Sequence, residues 1–425
     1  MDDSLAGKTL LILGGTKQAC DAVEVAHELG VRVIVADYYA DSPAKKIADE
    51  ATMHSTFDVD GIVELCKEKN VDGVMTVANE AVLSHYYAIC HRLGLPCYIT
   101  PEQIDAFTKK DVFKALNKAC GLATIPEYTV DETFLDRLDQ LEFPVVIKPS
   151  DNSASRGVSV CYEASEVPAA LEKAREFSLG GSILAEKFMR CEDLIINYTF
   201  IDGEYRLSQM GDRFVSNVYK GTGSVTSALI YPSIHIREYL ETTHPLVCEM
   251  FRKTGIRDGV MFIQAFYEDG KFYCYDPGYR TCGAQVYKML TAANDFRQME
   301  MLIRHALTGS MGGVELFQKN DPTYGGRAAC NMAILLKPGK VGSIRGVDKI
   351  KALPSVVYFT QFVEVGDEIT QVGTLKQTFA RMHYLCDNRR ALKQSMYEVY
   401  DLLNVCDENG ENMLLPHFDP EKIPI

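Results

Sequence analysis

The sequence predicts an α/β fold: a parallel-sheet unit first, a mixed α+β unit next and a β-rich portion last. Three observations predict it. Residues 9–13 (TLLIL) and 31–36 (VRVIVA) are apolar runs that flank a helical pattern over 19–29. That is a βαβ opening, which implies parallel strands with crossover helices. Residues 144–160 (PVVIKPSDNSASRGVSV) read as a strand, a small polar loop and a second strand. Residues 259–267 and 271–275, joined by Glu268-Asp269-Gly270, form a hairpin that runs into DPGYR.

Composition narrows the function classes. The 425 residues suffice for two or three domains, and 47% hydrophobic content places the chain among globular proteins. A net charge of −14 argues against a nucleic-acid or anionic-membrane surface. A local basic cleft for phosphate remains compatible with it. The start, MDDSLAGK, carries no apolar signal region, and no apolar run reaches membrane-spanning length. Thirteen cysteines without C-x-x-C spacing fit a reducing, cytoplasmic compartment. The histidines do not cluster as zinc ligands would.

In the first unit, Gly14-Gly15-Thr16 turns the chain after the first strand, and Asp37 ends the second. GGTKQAC does not supply the G-x-G-x-x-G of a dinucleotide site. Strands at 74–77 and 97–99 and a helix over 86–93 complete a Rossmann-like domain over residues 1–107. A helix comes next over 108–120, with Thr108 as N-cap and Gly121 as stop. Lys110 falls in its first turn, where a cation opposes the helix dipole unless it serves an external anion.

The loop after Lys148 is built of small residues, Ser150 to Ser155, ending in Arg156-Gly157. Such a loop lets backbone N–H groups approach an anion. It has no Walker G-x-x-x-x-G-K-[ST] pattern. A helix over 165–177, strands at 182–188 and 194–201, a polar stretch over 210–227 and a helix over 239–254 lead to the hairpin. A helix over 296–307 closes the middle unit, residues 108–310. Strand candidates at 327–336, 341–344, 356–363 and 373–384 and a helix over 394–403 make residues 311–425 a β-rich C-terminal subdomain.

Taken in order, these pieces resemble the ATP-grasp superfamily, with the likeness running from Gly14 to the β-rich tail. The resemblance implies residue roles. Lys110 and Lys148 match the two nucleotide lysines. Ser155 matches a phosphate-loop position, and Glu186-Lys187 in LAEKFM the adenine hinge, with Met189 offering its backbone N–H. Asp193 matches the ribose acid, Gln264 and Asp276 the metal positions, and Arg280 the arginine after them. The family's third metal position is Gly278 here, which offers no side-chain ligand. Gln264 resembles carbamoyl-phosphate synthetase large chains. The tail, with Pro338-Gly339 before VGSI, resembles L-amino-acid ligases.

The resemblance implies a carboxylate–amine ligase with ATP and Mg²⁺ (or Mn²⁺) as cofactors. Its partners would be a small carboxylate and an amine, with no nucleic acid or membrane, and a homodimer is compatible. Two alternatives stay open: phosphorylation of a small acid, suggested by Gln264, and a non-catalytic ATP-binding module, suggested by Gly278. An oxidoreductase built on the first domain ranks last, because GGTKQAC lacks the fingerprint.

Overall fold

The structure is a computed structural model that describes residues 5–150, 157–178, 180, 182–216 and 225–425. The βαβ opening forms as its apolar runs require. β1 (Thr9–Leu13), α1 (Lys17–Glu28), β2 (Arg32–Ala36), β3 (Glu50–Thr52), α2 (Val59–Glu68) and β4 (Gly73–Thr76) build a parallel sheet in the order β3-β2-β1-β4. β1 is buried at every position, as a strand covered on both faces must be. α3 (Leu83–Leu93) stops at Gly94, which is left-handed at φ 67°.

Residues 97–99 form no strand. They run past the sheet while the Tyr98 ring packs 5.2 Å from Tyr279 and 5.8 Å from His305. A further helix, α4 (Pro101–Thr108), precedes the helix expected over 108–120, which is α5 (Lys110–Ala119). Thr108 is no N-cap, because its hydroxyl donates back to Ile104 O (2.7 Å) inside α4. α4 itself starts on a Thr100–Gln103 capping box.

The second sheet is antiparallel and is built on the central hairpin. β5 (Glu127–Tyr128), β6 (Val145–Pro149), β7 (Ser159–Cys161) and β8 (Ile183–Lys187) pair in the order β5-β8-β6-β7. α6 (Val167–Phe177) covers it with Val167, Ala170, Leu171 and Ala174.

The third sheet carries the rest. β9 (Glu192–Ile201), β10 (Glu204–Ser216) and β11 (Val225–Tyr231) precede α7 (Ile236–Thr242) and α8 (His244–Lys253). The expected single helix breaks at Thr243, and Pro245 opens α8, where its missing N–H costs nothing. β12 (Gly259–Glu268) and β13 (Lys271–Gly278) form the predicted hairpin, and α9 (Tyr287–Asn294) and α10 (Gln298–Thr308) come after it. The tail adds β14 (Ala328–Leu335), β15 (Gly339–Arg345), α11 (Val347–Lys351), β16 (Val356–Gln361), β17 (Glu368–Ile369), β18 (Thr378–Cys386), α12 (Arg389–Leu402) and β19 (Asn404–Asp407).

Eight of these strands form one antiparallel sheet, β13-β12-β9-β10-β11-β14-β18-β16. The tail therefore extends the sheet of the middle unit through β11 and β14. A second tail sheet, β17-β15-β19, stands beside it. The polar stretch expected from residue 210 is strand to Ser216, with Asp212 buried within the sheet. Among the described residues no helix is long and apolar enough to cross a membrane.

Candidate active site

The N-terminal turn is closed to a dinucleotide. Gly15 N donates to Asp37 Oδ2 (2.7 Å) and Tyr39 N to Asp37 Oδ1 (3.0 Å). Burial pushes the Asp37 carboxyl up, but hydrogen bonds from Tyr39, Gly15 and Ser42 outweigh it and hold the group below its usual range. The Gly15 amide already faces an anion of its own chain, and a pyrophosphate there would have to displace it. A Cβ on Gly15 would lie 2.5 Å from that of Ser42, so the turn cannot widen around a side chain.

The predicted cations gather elsewhere, around Asp276 on β13. Asp276 stands directly across from Gln264 of β12, and Gln264 Nε2 donates to Asp276 Oδ2 (3.2 Å). Burial raises the Asp276 carboxyl above its usual range, while the charges of Lys110, Arg280, Lys148 and Arg213 pull it back. Those four cations come from α5, the segment after β13, β6 and β10. Four separate elements thus bring a cation towards one acid, and three of these cations also hold acids of their own, Lys148 with Glu186, Arg213 with Asp193 and Arg280 with Glu80.

The lysines are held by Glu186. Lys148 Nζ lies 2.5 Å from Glu186 Oε2, and Lys114 Nζ lies 2.8 Å from Oε1 and 2.6 Å from Glu127 Oε2. Glu186 is 5% exposed, so both its oxygens are committed to cations in a dry place. Lys114 was not singled out by sequence, yet it stands four residues after Lys110 on the same helix face. Lys187 faces Glu268 of β12 (3.8 Å), and Met189 is buried just beyond β8. Ser155 lies outside the described residues.

Asp193 begins the inner face of β9. It pairs with Arg213, its cross-strand neighbour on β10, and takes a long contact of 3.5 Å from Tyr275 Oη. Burial lifts its carboxyl to about 6 against the pull of Arg213 and Tyr275. Tyr275 Oη also donates to Gln264 Oε1 (2.9 Å), so Arg213, Asp193, Tyr275, Gln264 and Asp276 form one connected polar row.

Arg280 closes the row at the N-terminal unit. Its Nη2 donates to Glu80 Oε2 (3.2 Å), and its guanidinium stacks 5.0 Å over the Phe262 ring. Its Nε is buried without a partner. The adjoining Thr281 hydroxyl receives Ala78 N–H (2.8 Å), which holds the 78–80 turn against the row. Glu80 is a second residue that sequence reasoning missed. Two hundred residues separate it from Arg280.

Mg²⁺ requires oxygen donors, and Gln264, whose Nε2 faces Asp276 and whose Oε1 faces Tyr275, would supply one beside Asp276 after its amide turns over. Among the described residues no group of three acidic, His or Cys side chains could hold a metal alone. With four cations nearby, the pair fits Mg²⁺ as a partner of a phosphate polyanion, and the ligands must be completed by phosphate and water. Gly278 cannot be supplemented, because a Cβ there would overlap the Phe262 ring.

Comparison with known proteins bears on the fold. The model of the D-ala D-ala ligase C-terminus matches residues 123–220. A formate-dependent phosphoribosylglycinamide formyltransferase from Synechococcus sp. is 28% identical over 189 residues, 43% of this chain and 47% of the relative. One from Mannheimia haemolytica is 24% identical over 244 residues, 52% of this chain and 62% of the relative. The matched portion spans between about half and three-fifths of the length of these relatives.

Whole-chain likeness is structural. The L-amino acid ligase from Bacillus licheniformis superposes with a TM-score of 0.77 at 20% identity, covering 95% of this chain and 99% of that one. Phosphoribosylglycinamide synthetase from Anaerococcus prevotii gives 0.75 at 17%, covering 94% and 99%. Biotin carboxylase from Campylobacter jejuni, solved as a beta-gamma-ATP complex, gives 0.73 at 14%, covering 94% and 92%. All three likenesses extend over nearly the whole chain, including the β-rich tail.

Proposed function

From the ATP-grasp fold of this chain, we propose an ATP-dependent ligase that activates a carboxylate as an acyl phosphate and joins it to an amine. The observation that carries this is the convergence of Lys110, Lys148, Arg213 and Arg280 on Asp276. A carboxylate is a poor acylating agent because its leaving group would be oxide. Transfer of the γ-phosphoryl group of ATP to it gives an acyl phosphate and ADP. Attack by a neutral amine then forms the amide and releases phosphate and a proton.

Positioning and charge neutralisation dominate phosphoryl transfer. Lys110 and Lys148 would face the ATP phosphates. Glu186 would keep Lys148 aimed at them, and Lys187 and Met189 would border the base. Asp193 would take the ribose and Ser155 a phosphate oxygen. Gln264 and Asp276 would hold Mg²⁺, which when bound neutralises phosphate charge between them. Arg280, with its planar fork, suits the acid and then the developing acyl-phosphate oxyanion. Glu80, 3.2 Å from Arg280, would take the proton of the attacking amine.

A second reading has an observation behind it. The Phe262 ring fills the place of a third metal ligand at Gly278, as a chain that binds ATP without turnover would tolerate. One experiment separates the two. ADP release is measured with ATP, Mg²⁺ and pooled acids, and hydroxylamine traps acyl phosphate as hydroxamate. The ligase reading expects ADP and hydroxamate only when acid is present. ATP binding by calorimetry with no ADP from any acid would establish the second reading instead.

A further inference from the structure

The polar row does not stop at Arg213. Cross-strand partners continue it: Asp193 faces Arg213, Arg213 faces Leu229, Leu229 faces Asn331, and Asn331 faces His383. Strand alternation then places Arg381, two residues before His383, on the same face as Gln264 and Arg213. The contacts agree. Arg381 Nη1 donates to Asn331 Oδ1 (2.9 Å), and Asn331 Nδ2 lies 2.9 Å from His383 Nε2.

Three arginines therefore share this face. Arg213 has Asp193 and Arg280 has Glu80. Arg381 has no acid within ion-pair reach among the described residues, although it is 5% exposed. A guanidinium buried without a counter-charge is costly, and burial pushes its pKa down. The Tyr231 hydroxyl, wholly buried, also lacks a partner. The titratable groups facing Arg381 are Cys282, Tyr231 and Cys330, with His383 on its own strand joined to it through Asn331.

The segment between Arg280 and this spot is Thr281-Cys282-Gly283-Ala284, which carries small side chains throughout. Asn331 donates to Ala284 O and His383 Nε2 lies 3.2 Å from Gln285 O, so the sheet fixes the segment from below. A Cβ on Gly283 would meet nothing within 4 Å, so space is open beside it.

We propose that Arg381 binds a second anionic group of the acid substrate, a carboxylate or phosphate remote from the carboxylate at Arg280. This rests on the ligase reading above. The substrate class is thus an acid with two anionic ends. Arg280 takes the end that is activated, and Arg381 takes the distal end along the small-residue segment.

The test uses the full chain as wild type, Arg381→Met and Arg381→Lys. Initial rates of hydroxamate formation are taken with dicarboxylates from malonate to adipate, with 3-phosphoglycerate, and with monocarboxylates of matched length. Wild type is expected to show a KM at least tenfold lower for one doubly anionic class. Arg381→Met abolishes that preference with the KM for ATP unchanged, and Arg381→Lys keeps part of it. Which class is preferred tells carboxylate from phosphate. A purely structural arginine would instead lower Tm in the methionine variant and alter all acids alike. Removing an unpaired buried cation is expected to raise the Tm of the ligand-free protein. No preference in wild type, or equal loss on every acid, overturns the proposal.

Should wild type release no ADP with any acid, the ligase reading fails and the anion site is read directly. Inorganic phosphate, added with saturating ADP, then raises the Tm of wild type and leaves that of Arg381→Met unmoved. Equal shifts in both proteins overturn the site.

Discussion

Glu186 shows how little of a side chain's role its sequence position reveals. As half of a Glu-Lys pair after an apolar strand, it reads as a hinge residue. In the fold both its oxygens hold lysines, Lys114 and Lys148, and it is nearly dry. Removing one partner of a buried charged set leaves the others uncompensated, at a cost of about 3 kcal/mol. Glu186→Ala should therefore lose about that much in urea unfolding, and it should weaken ATP binding through a misaimed Lys148. Lys114 was hidden because a surface-like lysine on a helix is common. Gly278 is the opposite case, where absence of a side chain has a visible reason. Asparagine at Gly278 would drive into the Phe262 ring on which Arg280 stacks. Gly278→Asn should destabilise by about 2 kcal/mol as overpacking does. A second substitution, Phe262→Leu, should recover part of it. Thermal melts of the single and double variants check both steps.

At the scale of elements, the strands that were legible were those with one chemical character. β1, β6 and the β12–β13 hairpin follow apolar runs or a clear turn. β10 was half hidden because its site-facing and buried positions are polar: Ser208, Gln209, Asp212 and Arg213. Their partners lie on other elements, Thr199 for Ser208, Val286 and Tyr324 for Gln209, Ile234 for Asp212 and Asp193 for Arg213, and a period-2 hydrophobic pattern cannot register that. The strand expected at 97–99 failed for the converse reason, since its apolar residues pack as side chains without a paired backbone. β18 carries a titratable group that no pattern marks. His383 is wholly buried, and burial, with the charges of Lys288 and Arg381, depresses its pKa to about 3. The unfolded chain takes this proton near pH 6.5 and the folded chain refuses it until about 3. Stability contributed here is full above pH 6.5 and falls as the pH drops towards 3, by up to about 1.4 kcal/mol per unit. Urea midpoints from pH 7 to pH 4 should decline less steeply in His383→Gln than in wild type. Parallel declines would place the acid sensitivity elsewhere.

On the scale of the whole molecule, three sheets supply one site, and the N-terminal unit is part of it. The fold class and the order of elements were readable because each element repeats a local pattern. The closure of the site was not, because it joins residues hundreds of positions apart. Asp21 of α1 receives Gln285 Nε2 (2.6 Å), Tyr287 Oη (2.5 Å) and Lys288 Nζ (2.8 Å) from the segment after Arg280. Glu80 receives Arg280 itself. The first unit, whose glycine turn donates to Asp37, thus meets the segment after β13 through two carboxylates, Asp21 and Glu80. That arrangement makes a separable prediction. Glu80→Gln keeps the shape and a hydrogen-bond acceptor for Arg280, and it removes the charge that would accept a proton from the amine. On the proposed function ATP would face the lysines, so the Tm rise with ATP and Mg²⁺ should match wild type. Turnover with acid and amine should fall at least tenfold, about 1.4 kcal/mol of barrier. Acyl-phosphate formation, read as the burst of ADP before amine is added, should persist. A variant with lost burst and lost ATP shift would make Glu80 a structural clasp for Arg280. A variant with normal amine-dependent turnover would move the proton acceptor to another residue.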